Sequence, residues 1–209
     1  MWLLSKYISE KTNCKVILSG EGSDELFGGY LYFHNAPSTE EFFYENTRRL
    51  QLLHQFDVLR ADRCTAAHGL ELRVPFLDRD LVDHVISINQ NLKFKKGDIE
   101  KFILREAFND KTNILPIPIL WRTKDAFSDA VGHSGVESIK EYSDNLVDDV
   151  MFEDVKKKSK GHSTPMSREE ALYRSIYWDI FGNKKDHLIS EIWRPKWTDV
   201  KDPSARYLN

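Results

Sequence analysis

The sequence has few cysteines and no long apolar run. Cys14 and Cys64 are the two cysteines among 209 residues, which is too few for a disulfide framework, and their spacing does not fit a metal site. We therefore predict a reducing, cytoplasmic location. Lys6 and Glu10 interrupt the apolar opening segment, and no later segment is apolar enough to cross a bilayer. The sequence accordingly predicts no membrane partner.

The chain also lacks a strong charge of either sign. Its 30 Lys and Arg residues nearly balance 33 Asp and Glu residues, which gives a net charge of −3. No overall basic field favours nucleic acid, so none is predicted as a partner. With 41% hydrophobic and 30% charged residues, the composition is that of an ordinary globular protein. The length predicts one domain over residues 1–190, followed by an irregular tail at 191–209 that is rich in Trp, Pro and Lys.

One strand stands out among mostly helical patterns. Residues 15–20 form a short β-branched run without alternation, which predicts a strand covered on both faces in a parallel sheet. The only other strand candidate lies at residues 72–74. We therefore predict an α/β fold that is predominantly helical and has an incomplete parallel sheet.

Helices are predicted from apolar spacing and from capping residues. Residues 2–11 form an amphipathic pattern, and 100–108 and 136–158 are further helical segments, the last ending in three lysines that suit a helix C-terminus. The capping residues are Ser38 with Glu41, Ser167 with Glu170, and Asp78.

The loop SGEGSDE at residues 19–25 directly follows the predicted strand. Small residues at this place let the backbone approach a ligand at the carboxyl end of a parallel sheet, where open α/β folds bind nucleotides. Near a phosphate, Glu21, Asp24 and Glu25 would require a basic side chain or divalent cations to offset their repulsion, and Mg²⁺ is the usual partner. The same acids could instead begin a helix, whose dipole favours them. Both interpretations stay open on composition alone.

Ordered segments along the chain resemble the class II asparagine synthetases, which hydrolyse glutamine. They are SGEGSDE (19–25), GYLYFH (29–34), DVLRADR (57–63), AHGLELRVPFLD (67–78), WRTKDAFSD (121–129), PKW (195–197) and DPSAR (202–206). Several matches in the right order are more specific than a single glycine motif. The resemblance covers nearly the whole chain and identifies it with the C-terminal portion of the family's synthetase domain.

This resemblance implies a partial nucleotide-binding domain of the adenine-nucleotide alpha-hydrolase-like (ATP-pyrophosphatase) type. It implies that ATP and Mg²⁺ activate the side-chain carboxylate of aspartate, giving β-aspartyl-AMP and pyrophosphate. Ammonia, released from glutamine by a separate domain, would then displace AMP.

The resemblance also implies roles for individual residues. Ser19 and Gly20 would contact ATP, and Asp24 would help to hold Mg²⁺. Glu21 would act near the intermediate, and Lys124 would stabilise charge on the phosphates, so that both are candidate catalytic residues. An ion pair between Glu21 and Lys124 between turnovers is also expected.

Asp57 and Arg60 lie one helical turn apart and face the same way. The resemblance implies that they bind the amino and carboxylate groups of aspartate. Without it, a surface salt bridge between positions i and i+3 is the favoured interpretation.

The family's phosphate-binding Ser-Gly-Gly-x-Asp-Ser loop has no counterpart in these residues. We therefore expect the isolated chain to be inactive and to need a complementary N-terminal synthetase and glutaminase chain as its partner. Two alternatives stay open. One is a non-catalytic remnant that binds a full-length synthetase, and the other is a related adenylating amidotransferase acting on another carboxylate.

Overall fold

The computed structural model describes residues 1–94, 99–109, 114–124, 135–159, 163–188 and 192–199. The chain divides into two compact units. The first comprises Met1–Lys124 together with Arg194–Asn209, and the second comprises Asp125–Trp193. The boundary expected at residue 190 stays a prediction.

The first unit contains a two-stranded parallel sheet. Strand β1 spans Val16–Leu18 and strand β2 spans Glu71–Arg73, with Ile17 opposite Leu72. The parallel pairing predicted from the sequence is therefore confirmed, and the described residues form an α/β arrangement that is mostly helical.

The expectation that the first strand is covered on both faces is wrong. Val16 is 41% exposed and Leu18 is 71% exposed. The apolar side chains of the amphipathic helix at residues 2–11 are exposed as well, with Leu3 at 75% and Tyr7 at 61%. The apolar residues of β1 are suited to burial. However, β1 and β2 have three residues each, and the described helices around them leave Val16 and Leu18 exposed.

Eight helices of the first unit lie among the described residues. Their capping residues agree with the sequence: the Ser38 side chain accepts a hydrogen bond from the Glu41 amide, and Asp78 accepts one from the Asp80 amide. The helices are α1 (Trp2–Lys11), α2 (Ser23–Phe27), α3 (Thr39–Leu52), α4 (Asp57–Ala66), α5 (Arg79–Ser87), α6 (Gln90–Lys93), α7 (Phe102–Ala107) and α8 (Ile117–Leu120), with 3₁₀ turns at Leu31–Asn35, Leu53–Gln55 and Pro75–Leu77.

The short helix α2 is anchored in the core of this unit. Its Leu26 and Phe27 pack with Val85 of α5 in one buried cluster. Gly28 ends α2 with a left-handed φ of 65°, and a Cβ there would lie 2.7 Å from the Phe42 ring of α3. Glycine accepts this conformation and this close contact without strain. Gly28 therefore lets the end of α2 pack directly against α3.

The second unit consists of three helices and a 3₁₀ turn. The prediction of one helix over residues 136–158 is wrong, because the chain breaks at Val147, which is fully buried, and Asp148 caps the next helix by accepting from the Met151 amide. The cap at Ser167 is confirmed, and the three lysines occupy the last turn of their helix as expected. The elements are α9 (Gly135–Leu146), α10 (Asp149–Lys158), α11 (Arg168–Phe181) and the turn Asn183–Leu188.

Residues 192–199 contain neither helix nor strand. Within the part of the chain that the structure describes, none of the helices has both the length and the apolar character needed to span a membrane.

Candidate active site

The loop between β1 and α2 is a compact turn at the carboxyl end of the sheet. The Glu21 amide donates to Ser19 Oγ at 3.3 Å, and the Ser23 amide donates to the Gly20 carbonyl at 3.2 Å. Gly22 has a φ of 91°, and a Cβ at this position would collide with Leu77. The turn therefore requires glycine at Gly22, and it presents Ser19, Gly20 and Glu21 beside the end of the strand.

Glu21 lies in an ionic cluster with two residues from the first turn of α4. Arg60 Nη2 lies 2.6 Å from Asp57 Oδ1 and 3.6 Å from Glu21 Oε1. Arg60 is 49% exposed, so these ion pairs contribute little to stability. One accessible guanidinium thus serves two carboxylates, and a ligand carboxylate can compete for it.

The surroundings of Glu21 favour its protonated form. Burial raises the pKa of Glu21, repulsion from Asp57 and Asp24 raises it further, and Arg60 partly offsets the rise. A carboxyl group with a raised pKa at the end of a sheet is typical of a functional site.

Asp24 occupies the first turn of α2 and contacts Lys101, the residue directly before α7. Lys101 Nζ lies 3.1 Å from Asp24 Oδ1 and 3.5 Å from Ser23 Oγ. Oδ1 is buried and ion-paired with Lys101, and it accepts no hydrogen bond among the described residues. Gly29 lies directly beside this carboxylate, and a Cβ there would collide with it.

These features fit a magnesium ligand. The Asp24 carboxylate could serve Mg²⁺, which commonly takes one or two protein carboxylates and completes its shell with water and substrate phosphates, but the ion would have to displace the Lys101 ammonium from Oδ1. Among the described residues no group of three His, Cys, Asp or Glu side chains could hold a metal. A metal at Asp24 would therefore need ligands from outside the described residues.

Glu25 and Lys124 both contact Tyr30. The buried Glu25 carboxylate accepts a hydrogen bond from the Tyr30 hydroxyl, and burial raises the pKa of Glu25 to about 7. Lys124 Nζ lies 5.6 Å from the centroid of the Tyr30 ring, within cation–π range. The described residues show no ion pair between Glu21 and Lys124: Glu21 pairs with Arg60, and Lys124 lies over the aromatic ring.

The structure thus brings Glu21, Asp57 and Arg60 together next to Ser19 and Gly20. Sequence reasoning missed Lys101, which follows no motif and reaches Asp24 from a distant part of the chain. Glu25 carried a signal as the third acid of the loop. Residues 125–129 of the WRTKDAFSD segment and the whole DPSAR segment lie outside the described residues.

The sequence is similar to a known protein family over most of its length. The sequence model of the asparagine synthase family matches residues 1–48 and 38–200. Glutamine-hydrolysing asparagine synthetases from Gallus gallus and Homo sapiens are each 47% identical over 211 aligned positions, and the one from Bos taurus is 46% identical. These alignments cover 100% of this chain and 37% of each relative, at the C-terminal end of the relative.

Proposed function

Because the chain belongs to the asparagine synthase family, we propose that it supplies the C-terminal portion of the synthetase domain in a glutamine-dependent asparagine synthetase. In this proposal ATP and Mg²⁺ activate aspartate as β-aspartyl-AMP, and ammonia derived from glutamine displaces AMP. The observation that carries the proposal is the turn after β1, which brings Glu21 against Asp57 and Arg60.

The fold supports a nucleotide site at this place. Strands β1 and β2 run parallel, and the glycine-rich turn leaves β1 at its carboxyl end, where open α/β sheets bind nucleotides. We propose a partial alpha-hydrolase-like nucleotide-binding fold on this basis, and a cytoplasmic location stays a prediction.

Ser19 and Gly20 would contact ATP. No atom lies within 4 Å of the position that a Cβ of Gly20 would occupy, so the backbone there is open to a ligand. Ser19 Oγ accepts from the Glu21 amide, which leaves its hydroxyl proton available to a phosphate oxygen.

Asp24, by binding Mg²⁺, and Lys124, by its own charge, would offset the negative charge of the phosphates. Asp24 would hold Mg²⁺ through its carboxylate, and the ion would replace Lys101, whose ammonium lies 3.1 Å from Oδ1. The ion, when bound, polarises the phosphoryl group and neutralises developing charge. Lys124, already oriented by the Tyr30 ring, would add a fixed cation, which lowers the barrier by electrostatic preorganisation.

Arg60, Asp57 and Glu21 would bind aspartate and receive ammonia. The Arg60 guanidinium offers a planar fork for the α-carboxylate, and Asp57 offers an acceptor for the α-amino group. Glu21 lies within 3.6 Å of the same guanidinium, so ammonia steered by Glu21 would enter beside the bound substrate.

Aspartate-dependent exchange of pyrophosphate into ATP tests this function. The isolated chain is expected to show no exchange, and addition of a polypeptide bearing the rest of the synthetase domain is expected to restore it. Robust exchange by the chain alone would contradict the predicted dependence on a partner. Failure of the partner to restore exchange would favour the non-catalytic remnant.

A substitution in the restored complex tests the aspartate site. Arg60→Gln is expected to raise the KM for aspartate by about tenfold to a hundredfold, because a charged hydrogen-bond donor is lost. Arg63→Gln is the matched control, since Arg63 lies on the same helix and, among the described residues, forms an ion pair with the neighbouring Asp62 at the surface. If the two substitutions raise the KM for aspartate equally, the proposal that Arg60 binds aspartate is wrong.

A further inference from the structure

Residues 194–197, here called the tail strap, lie across α3 and the 3₁₀ turn Leu31–Asn35. Lys196 Nζ lies 2.9 Å from Glu45 Oε2, and Arg49 donates from Nη2 to the Arg194 carbonyl at 2.8 Å. The Asn35 amide donates to the Trp197 carbonyl at 3.1 Å. An ion pair and hydrogen bonds to residues far away in the sequence therefore hold the strap in place.

Glu45, which binds the strap through Lys196, is buried and has several hydrogen-bond donors around it. Its side chain is 0% exposed and also accepts hydrogen bonds from Arg48, Arg49 and Tyr32. Burial acts to raise the pKa of Glu45, but the hydrogen bonds from Arg48 and Lys196 and the charge of Arg49 outweigh it and lower the pKa to about 2. Removing a charged partner from a buried carboxylate destabilises the folded protein. The ion pair with Glu45 therefore holds the Lys196 ammonium at one position on α3.

Aromatic contacts connect the strap to the candidate active site. The Tyr32 ring centroid lies 6.0 Å from that of Trp197 and 6.0 Å from that of Tyr30, and the two tyrosine rings are stacked. Such ring pairs hold each other in a preferred geometry. Tyr30 in turn contacts Lys124 and bonds Glu25. A continuous series of packed rings thus runs from the strap to Lys124.

Trp197 adopts a backbone conformation that the surrounding contacts must maintain. Its φ is 54°, in the left-handed region, which is costly for a bulky side chain and persists only where neighbouring groups hold it. Its ring contact with Tyr32 and its carbonyl contact with Asn35 are such groups.

We propose that Lys196 and Trp197 are positioning residues that fix the Tyr30 ring and, through it, the ammonium of Lys124. The strap acts on Lys124 by holding the ring against which that ammonium rests. The role of Lys124 toward phosphate rests on the proposed function, whereas the placement of its ammonium does not.

The chemical reactivity of Lys124 tests this proposal in the full chain without nucleotide. Trinitrobenzenesulfonate modifies exposed amines, and peptide mass mapping gives the rate at each lysine. Lys196→Met is expected to raise the rate at Lys124 about two- to fivefold, the change that corresponds to loss of an exposed cation–π contact. Lys196→Arg keeps a cation for Glu45 and is expected to keep the original rate.

Two controls separate this effect from general destabilisation. Lys6→Met removes an exposed charge that pairs with Glu10 on α1, and Thr65→Ala removes a buried hydroxyl on α4. Among the described residues, Lys6 contacts Glu10 and the Trp2 ring, and the Thr65 hydroxyl donates to the carbonyls of Ala61 and Asp62, so these contacts lie away from the strap and from Tyr30 and Tyr32. Equal Lys124 rates in Lys196→Met and in the controls would overturn the proposal.

Trp197→Leu provides a second test that leaves Lys196 and Glu45 intact. It removes the ring contact with Tyr32 and is expected to raise the Lys124 rate in the same range. An unchanged rate in this variant would overturn the aromatic path even if Lys196→Met failed to fold. Because modification needs no nucleotide, a failure to bind ATP would count against the proposed function and leave this test standing.

Discussion

Gly29 shows how one residue determines the position of a candidate metal ligand. A Cβ added at Gly29 would lie 2.9 Å from Asp24 Cα and would collide with the Asp24 carboxylate. The Gly29 amide also donates to the Asp24 carbonyl at 2.8 Å. The glycine therefore lets the chain fold back tightly on the first turn of α2.

Gly29→Ala is expected to destabilise the chain by about 1–3 kcal/mol, because the added methyl group must displace backbone atoms as well as a side chain. Urea unfolding followed by circular dichroism measures the change. Gly20→Ala is the matched control in the same loop, since a Cβ there meets no atom within 4 Å, and it is expected to change stability little. Equal losses in the two variants would show that steric contact with Asp24 is not the cause.

At the scale of elements, the features predicted correctly from the sequence are local ones. Ser38, Asp78 and Ser167 cap their helices as predicted, because a capping side chain bonds amides only two or three residues away. The ionic cluster at Arg60 was foreseen in part, since Asp57 lies one turn away on the same helix. By contrast, the contact between Lys196 and Glu45 joins distant segments, and no local pattern of charge or spacing specifies it.

The anchoring of the strap on α3 predicts a specific pH dependence of stability. The pKa of Glu45 is lowered from 4.5 to about 2, so its ionised form is stabilised in the folded chain. This contribution is complete above the unfolded pKa and is lost as the pH falls from about 5 to about 2, with an upper bound of about 3 kcal/mol.

Glu45→Gln is therefore expected to lower stability at pH 7 and to flatten its decline in acid, as measured by urea midpoints over a pH series. Glu153→Gln is the control, because Glu153 forms an exposed pair with Lys156 and should leave the profile nearly unchanged. An acid profile of Glu45→Gln that parallels the original would refute the role given to this carboxylate.

At the scale of the whole molecule, a group of exposed apolar side chains lies on α1 and β1. Leu3, Tyr7, Val16 and Leu18 are all more than 40% exposed, and β1 pairs with β2 alone among the described strands. Exposed apolar residues beside an unpaired strand edge favour association with another chain. The chain spans 37% of the length of the relatives that it matches, and we propose that the rest of a synthetase domain is the partner that covers this surface.

Without that partner, the purified chain is expected to associate with itself as its concentration rises, which sedimentation velocity measures. Leu18→Lys is expected to reduce this association, because a charge at the strand opposes pairing between edges. Leu188→Lys is the matched control, since Leu188 is 65% exposed but belongs to the second unit, and it should leave association unchanged. A chain that stays monomeric and unfolds cooperatively at all concentrations would contradict an interface on β1. If both lysine variants reduce association equally, net charge is the cause, and the position of the interface loses its support.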